Sequence, residues 1–214
     1  MKPLLILMAL AFSPVLFGQE YDAIGVEDSA YIFQDQDKKG NLIGEPAFLA
    51  GCSWYCGGDV QSVRASSSLA DTKKNSYAAI NAHDFDFKTA WVEGVKGYGI
   101  GEYLEYRFNF DHMKDYGGTL GINKLIIANG YKKSKSTWEN NARVKQMILY
   151  VDGKKVAMIN LLDQFELQTV TIEPIYFPEN KVTTLKFEIS DVYAGKKYED
   201  TAMSLLMFEG LGVH

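Results

Sequence analysis

The segment from Asn129 to Arg143 combines aromatic rings with hydrogen-bonding side chains. Flat rings can stack on the apolar face of a sugar ring, while amide, ammonium and guanidinium groups form directional hydrogen bonds with its hydroxyl groups. The pattern therefore predicts a sugar-binding loop. Its candidate ligand contacts are Asn129, Tyr131, Lys133, Trp138, Asn140 and Arg143. For Tyr131 and Trp138, which stand among lysines and serines, a purely structural role stays equally open.

Two other segments contain residues of the same kinds. Trp91 and Glu93 lie in the first segment, and Tyr193 and Asp200 lie in the second. We expect them to join the same rim, because binding loops commonly meet at one end of a rigid scaffold. A structural interpretation stays open here too. Trp91 can be a core residue, and Glu93 can form a buried ion pair with Arg143 that only holds the loop closed.

The sequence contains no pattern typical of a catalytic centre. The histidines, His83, His112 and His214, have neither metal-ligand nor triad spacing. No nucleophile elbow, zinc-protease motif or phosphate-binding glycine loop occurs. Carboxylate pairs such as Glu199-Asp200 would support glycoside hydrolysis only in a geometry that the sequence does not reveal. We therefore expect a protein that is not an enzyme.

The first 18 residues have the pattern of a secretory signal peptide. Lys2 is basic, residues 4–11 are apolar, and Gly18 is a small residue at a plausible cleavage point. The sequence therefore predicts export to the periplasm or the extracellular space, with no transmembrane segment in the mature chain. In an oxidising compartment, Cys52 and Cys56 are expected to form a short-loop disulfide rather than a metal or redox site.

The charge balance disfavours one class of partner. The chain has 22 Lys and Arg residues against 27 Asp and Glu residues, a net charge of −5, and loss of Lys2 with the signal peptide makes it more negative. Affinity for nucleic acid depends largely on Lys and Arg contacts to phosphates. We therefore expect no nucleic-acid partner.

Apolar and polar residues alternate along several segments, which is the pattern of half-buried antiparallel strands. Asp152-Gly153 separates two such runs and predicts a two-residue hairpin. The predicted strands cover residues 60–66, 103–110, 124–128, 147–151, 155–159, 168–172, 183–190 and 203–208. Eight short strands predict an all-β, antiparallel jelly-roll sandwich over residues 60–214, preceded by an N-terminal extension over residues 19–59.

Five stretches resemble, in order and spacing, the NAD glycohydrolase translocation, or glycan-binding, domain family of secreted bacterial proteins. They are Asn75-Ser-Tyr77, Thr89–Gly94, Gly99–Glu105, Ile127–Lys145 and Asp191–Ser204. Together they extend over most of the chain after residue 60. The resemblance implies a discoidin-like, or galactose-binding-like, jelly roll that binds glycans and lacks the NAD-cleaving domain.

Residues 84–91 also resemble the Asp-Gly-x-x-x-Thr-x-Trp signature of coagulation-factor C-type modules, with Phe85 in place of the glycine. This resemblance implies a structural calcium ion, for which Asp84, Asp86 and Thr89 would supply oxygen ligands. Those modules commonly add a Glu near the last strand, where this chain has Ser204-Leu205. We therefore expect no cofactor other than a structural calcium ion.

These observations together predict a secreted, non-catalytic carbohydrate-binding module whose partner is a glycan or a cell-surface polysaccharide. Two other functions stay open. The same loops would suit a protein–protein adaptor or adhesion domain at the cell envelope. A glycoside hydrolase would need a carboxylate site that the sequence does not display.

Overall fold

The computed structural model describes residues 18–26, 32–33, 37–39, 47–48, 54–56, 58–110, 120–179 and 181–212. Residues 1–17 and Cys52 lie outside these ranges. The signal peptide and the disulfide between Cys52 and Cys56 therefore stay predictions. Within the described ranges, no helix is long and apolar enough to cross a membrane.

Strands account for most of the secondary structure in the described ranges. A short α-helix, α1 (Lys135–Asn140), and two 3-10 turns, Trp54–Cys56 and Ala79–Ala82, accompany them. The strands are β1 (Gln19–Asp22), β2 (Ile24–Gly25), β3 (Ile32–Phe33), β4 (Ala47–Phe48), β5 (Ser62–Ala65), β6 (Trp91–Val92), β7 (Tyr103–Phe108), β8 (Gly121–Asn129), β9 (Ala142–Val151), β10 (Lys154–Asn160), β11 (Gln168–Tyr176), β12 (Thr183–Tyr193) and β13 (Thr201–Leu211).

Apart from β3 and β4, which pair only with each other in the described ranges, the strands form two layers that join along a short seam. One layer has the order β2-β11-β8-β13, with β6 paired to β13, and the other has the order β1-β10-β9-β12-β7-β5. Most neighbours are antiparallel, but β1 runs parallel to β10. Thr201 and Ala202 of β13 pair in parallel with Ala142 and Arg143 of β9, and this seam links the layers into one mixed sheet. The prediction of an all-β, antiparallel jelly roll is confirmed, with parallel pairings only between β1 and β10 and at this seam among the named strands of the described ranges.

Aromatic rings fill the space between the layers. The ring centroid of Phe208 on β13 lies 5.1 Å from that of Tyr106 and 5.2 Å from that of Phe108, both on β7. Phe108 also stacks on Phe177 at 4.5 Å. Trp54 is buried in this core although it precedes the predicted domain start at residue 60. Such rings bury large apolar areas, so this cluster is a main source of the stability that holds the loops in place.

The alternating segments 103–110 and 183–190 correspond to β7 and β12, which are neighbours in the layer that contains β9 and β10. Along β7, buried and partly exposed side chains alternate without a break, and the first eight residues of β12 follow the same pattern. The predicted hairpin is present between β9 and β10, where Asp152 has φ 49° and Gly153 has φ 78°. These left-handed conformations are the ones that a type I′ turn requires.

The start of the described chain packs across the open side of the sandwich. β1 pairs with β10 of one layer, and β2 pairs with β11 of the other. The hydroxyl of Tyr21 accepts a hydrogen bond from the Glu173 amide at 3.1 Å. Residues 19–25 thereby cover edges of both layers, which would otherwise present unpaired backbone groups to other chains. We call these residues the N-terminal arm.

Candidate functional site

A cleft of about 420 Å³ opens at the end of the sandwich where β8 and β12 end and β9 and β13 begin. Its volume lies within the range of about 300–1,000 Å³ that is usual for small-molecule sites. We call it the loop-end cleft. It is lined by Leu69, Asn75, Tyr77, Val92, Tyr131, Lys133, Thr137, Asn140, Asn141, Tyr198 and Asp200.

Asn75, Tyr77, Tyr131 and Lys133 form a connected group that we call the lysine wall. The Lys133 ammonium donates a hydrogen bond to Asn75 Oδ1 at 3.0 Å, and the Asn75 amide donates to the Tyr77 hydroxyl at 3.4 Å. The rings of Tyr77 and Tyr131 meet edge to face at 6.3 Å. Burial raises the pKa of Tyr131 to about 12, so its hydroxyl stays protonated at neutral pH and can donate a hydrogen bond.

Asn140, Asn141, Tyr198 and Asp200 form a second connected group, the carboxylate wall. The Tyr198 amide donates to the Asn140 carbonyl at 2.8 Å, and the Ala142 amide donates to the Asp200 carbonyl at 3.0 Å. The Tyr198 side chain is 42% exposed. Among the described residues, the Asp200 carboxylate has no hydrogen-bond or ion-pair partner. This wall therefore presents an exposed ring and a free acceptor to the cleft.

A glycine allows the carboxylate wall to form. A Cβ atom on Gly195 would lie 2.5 Å from the Asn140 carbonyl oxygen and 2.5 Å from the Asn141 carbonyl carbon. Contacts below about 3 Å with main-chain atoms cannot be relieved by a side-chain rotation. Gly195 therefore permits the 194–200 loop to dock directly on the end of α1.

The loop predicted between Asn129 and Arg143 contains the helix α1, and its tryptophan is not exposed. The Ser134 hydroxyl caps α1 by accepting a hydrogen bond from the Thr137 amide at 3.1 Å. Trp138 is 7% exposed, and its indole N–H donates to the Asn129 carbonyl at 2.8 Å. The expectation that its ring presents itself to a ligand does not hold in this structure, because α1 turns the ring inward.

Arg143 lies behind the carboxylate wall and connects several segments of the chain. Its guanidinium lies 4.3 Å from the Trp138 ring and donates to the carbonyls of Trp138, Asn141 and Ala194. It forms a bidentate ion pair with Asp163, at 2.7 and 3.2 Å. The suggested pair between Glu93 and Arg143 is wrong, because Asp163 takes the guanidinium. Arg143 therefore positions the cleft from behind rather than lining it.

Glu93 is fully buried and binds the main chain. Its carboxylate accepts hydrogen bonds from the amides of Val95 at 2.8 Å and Thr201 at 3.1 Å. Burial raises the pKa of Glu93 above its usual value. These bonds fix the start of β13, next to Asp200.

Three other predicted contacts belong to the scaffold. Asn129 is 1% exposed, and its carboxamide exchanges two hydrogen bonds with the main chain of Val144, so it ties β8 to β9. Trp91 is 1% exposed and donates to the Ser67 carbonyl. Tyr193 donates its hydroxyl to the Leu161 carbonyl. Of the ten predicted contacts, only Tyr131, Lys133, Asn140 and Asp200 line the loop-end cleft.

Several lining residues were not predicted from the sequence, most importantly Asn75, Tyr77, Asn141 and Tyr198. All four stand within the five stretches that carry the family resemblance. The five stretches that carry the resemblance were therefore the sequence signal that could have identified these lining residues. The two tryptophans that were predicted as contacts, Trp91 and Trp138, are buried instead.

The residues suggested as calcium ligands form hydrogen bonds with one another. The Thr89 hydroxyl donates to Asp84 Oδ2 at 2.7 Å, and the Asp86 amide donates to Asp84 Oδ1 at 3.0 Å. The Lys88 ammonium lies 3.7 Å from Asp86 Oδ2. Phe85, at the position of the usual glycine, has φ 63°.

Calcium takes six to eight oxygen ligands. No group of three or more Asp, Glu, His or Cys side chains suited to a metal occurs in the described part of the chain. Both carboxylate oxygens of Asp84 already accept hydrogen bonds within this loop. Calcium binding at Asp84, Asp86 and Thr89 stays a prediction.

Solved structures similar to this chain share its fold. The CBM32-1 and CBM32-2 domains of ZmpB from Clostridium perfringens match with a TM-score of 0.56 and 11% identity, over 90% of this chain and 41% of that one. The same domains in complex with GalNAc match with a TM-score of 0.55 and 11% identity, over 90% and 40%. The chain thus spans less than half the length of these relatives. No curated protein matches it in sequence.

The family resemblance is confirmed by a match to the family model. The NAD glycohydrolase translocation F5/8 type C domain matches residues 54–209, which include the strands from β5 to β12 and most of β13. The match begins at Trp54, the residue whose ring lies in the core. All segments that line the loop-end cleft fall inside it. This chain therefore belongs to the NAD glycohydrolase translocation F5/8 type C domain family.

Proposed function

We propose that this chain is an exported, non-catalytic domain that binds a glycan in the loop-end cleft. The observation that carries the proposal is the exposed ring of Tyr198 beside the unpartnered carboxylate of Asp200. A sugar needs both features, because one face of its ring is apolar while its hydroxyl groups need acceptors and donors. The cleft supplies acceptors and donors from Asp200, the asparagine amides and Lys133.

The presence of a single carboxylate in the described lining of the cleft argues against hydrolysis. Glycosidases use two carboxyl groups, about 5 to 9.5 Å apart, on either side of the scissile bond. Asp200 is the sole acidic residue in the described lining of the cleft. Glu93, behind it, spends both carboxylate oxygens on main-chain amides. The domain is therefore expected to bind its ligand without turnover.

The shape of the site favours a small ligand over a protein surface. Small-molecule sites are clefts of about 300–1,000 Å³, whereas stable protein interfaces bury about 800 Å² on each partner. The structural relatives add a consistent precedent, since ZmpB domains of this fold were solved in complex with GalNAc. We carry over from that precedent only the class of ligand.

A binding experiment tests the proposal with a matched pair of tyrosine variants. Glycans selected on an array are titrated into the purified protein by calorimetry, with wild type, Tyr198→Ala and Tyr176→Ala compared. Tyr176 is 53% exposed and pairs with Gly121, at the end of β8 that is remote from the cleft. It is therefore a control for loss of an exposed tyrosine.

The expected effect follows from the exposed area of Tyr198. With 42% of the side chain exposed, and roughly 200 Å² for a whole aromatic side chain, about 80 Å² is available to a ligand. Covering that area contributes at most about 2 kcal/mol, or roughly a thirtyfold change in Kd. We expect Tyr198→Ala to raise Kd about five- to thirtyfold and Tyr176→Ala to leave it unchanged. Absence of binding to any glycan, or equal effects of the two variants, would refute the proposal.

A further inference from the structure

We infer that the glycan bound in the loop-end cleft is acidic, and that Lys133 recognises its carboxylate or sulfate group. This inference rests on the proposed function and adds the class of sugar to it. It comes from the distribution of charge around the cleft.

The three segments that supply most of the lining are positively charged in a negatively charged protein. Residues 69–77, 131–141 and 194–200 contain seven lysines against four Asp and Glu residues, a net charge of +3. The whole chain has a net charge of −5, so the remaining residues have a net charge of −8. A cleft whose sign opposes that of the surrounding surface attracts ligands of the opposite charge.

One of these lysines, Lys132, is buried with its ammonium bonded to the Phe165 carbonyl and does not line the cleft. Lys196 pairs with Glu139 at 2.6 Å. Lys135 lies over the Trp138 ring, and Lys197 lies over the Tyr198 ring, at 4.4 and 4.9 Å from the ring centroids. Neither forms an ion pair with a carboxylate among the described residues. The positive charges of Lys135 and Lys197 are therefore available to a ligand.

Lys133 is the lysine that lines the cleft itself. Its side chain is exposed, and its ammonium contacts the neutral Asn75 Oδ1 at 3.0 Å. No carboxylate pairs with it in the part of the chain that the structure describes. An ammonium has three donors, so this bond leaves two of them free while holding the group in place. A preorganised cation of this kind suits a carboxylate or sulfate oxygen.

The acidic residue of the cleft belongs to the other wall. Asp200 connects through the main chain to Ala142 and the end of α1, whereas Lys133 connects to Asn75 and Tyr77. One ligand can therefore present hydroxyl groups to the carboxylate wall and its anion to the lysine wall. This division favours a sugar with one acidic substituent over a densely charged polymer.

Matched pairs of sugars test the inference directly. Galactose is compared with galacturonate, and GalNAc with its 6-sulfate, by calorimetry at low salt. A cation and an anion in contact at a partly exposed site attract each other strongly enough to give a preference of about five- to thirtyfold for the acidic member of a pair. In about 1 M salt, where the screening length is about 3 Å, we expect most of that preference to disappear.

Two lysine variants test whether Lys133 causes the preference for the acidic sugar. Lys133→Met keeps the aliphatic stem and should reduce the acidic-to-neutral preference to about one. Lys154→Met changes the net charge equally but removes an exposed lysine at the hairpin turn, far from the cleft. It should leave the preference unchanged. The comparison of wild type at low and high salt needs no variant and stands even if Lys133→Met folds poorly.

The outcomes separate the two proposals. Equal affinity for acidic and neutral sugars at low salt overturns the inference and leaves glycan binding intact. A preference that persists in Lys133→Met, or that falls equally in Lys154→Met, overturns the role of Lys133. A protein that binds no sugar of either kind overturns the proposed function and the inference together.

Discussion

Tyr106 offers a sharp test of the packing between the layers, because its hydroxyl is buried without a partner. The residue is fully buried, and its oxygen has no hydrogen bond within the described residues. Burial also raises the pKa of its phenol well above the usual value, so the group stays neutral. Tyr106→Phe removes one oxygen and leaves every ring contact in place. We expect this variant to be more stable than wild type.

The magnitude follows from the desolvation of a hydroxyl. Burying an unsatisfied polar group costs about 1–3 kcal/mol, and the apolar replacement avoids that cost. We expect Tyr106→Phe to raise the free energy of unfolding by about 1–2 kcal/mol. For a chain of this length, the melting temperature should rise by about 2–8 °C.

Tyr55→Phe is the matched control, since it makes the same chemical change at a satisfied hydroxyl. The Tyr55 oxygen accepts a hydrogen bond from the Phe208 amide at 2.9 Å. Its removal leaves that amide without this acceptor, and we expect a loss of about 1–3 kcal/mol. Urea titration and calorimetry of both variants measure the opposite signs. If Tyr106→Phe is destabilised as much as Tyr55→Phe, the Tyr106 hydroxyl has a partner in solution and the reasoning fails.

Two further predictions concern pH and the N-terminal arm. Burial lowers the pKa of His83 below 6.5, although its hydrogen bond to the Leu206 carbonyl opposes this. The stability that depends on neutral His83 is present above pH 6.5 and declines as the pH falls below 6.5 toward the pKa of the folded state. In chemical unfolding, wild type should therefore be more stable than His83→Gln above pH 6.5, and this difference should shrink as the pH falls below 6.5. Deletion of residues 19–25 should cost about 2–4 kcal/mol and promote self-association, because it removes Tyr21 and Ala23 from the core and uncovers two strand edges. Light scattering and urea titration measure both effects, with Ile24→Ser, at a 63% exposed position, as the neutral control; a deletion variant as stable and monomeric as wild type would contradict the role of the arm.

The strands could be predicted because their signals are local. Alternation in β7 and β12 reflects one buried and one exposed face, and each face can be identified without knowing what covers it. The hairpin between β9 and β10 depends on two adjacent residues, Asp152 and Gly153, whose left-handed conformations the turn demands. Fold class therefore followed from short-range patterns.

The candidate site was harder to predict from the sequence, because the burial of a ring depends on residues that are distant in sequence. Trp138 stands among polar residues, yet Arg143 covers its ring and Asn129 takes its N–H. The partner of Arg143 is Asp163, 20 residues further along the chain, rather than Glu93. The helix α1, which Ser134 caps, was not predicted, and it is this helix that directs Trp138 inward.

The course of β13 determines which way the loop-end cleft points when the protein is held by the opposite end of the sandwich. This strand begins at Thr201, beside the cleft, and ends at Leu211, which pairs with Gly121 at the other end of the sandwich. Its 11 residues span about 35 Å. A linker or tag attached beyond Leu211 would keep its anchor that far from the cleft. Coupling the protein to a sensor chip through that end should therefore leave the cleft facing the solution, whereas anchoring through Lys133 or Lys197 should obstruct it.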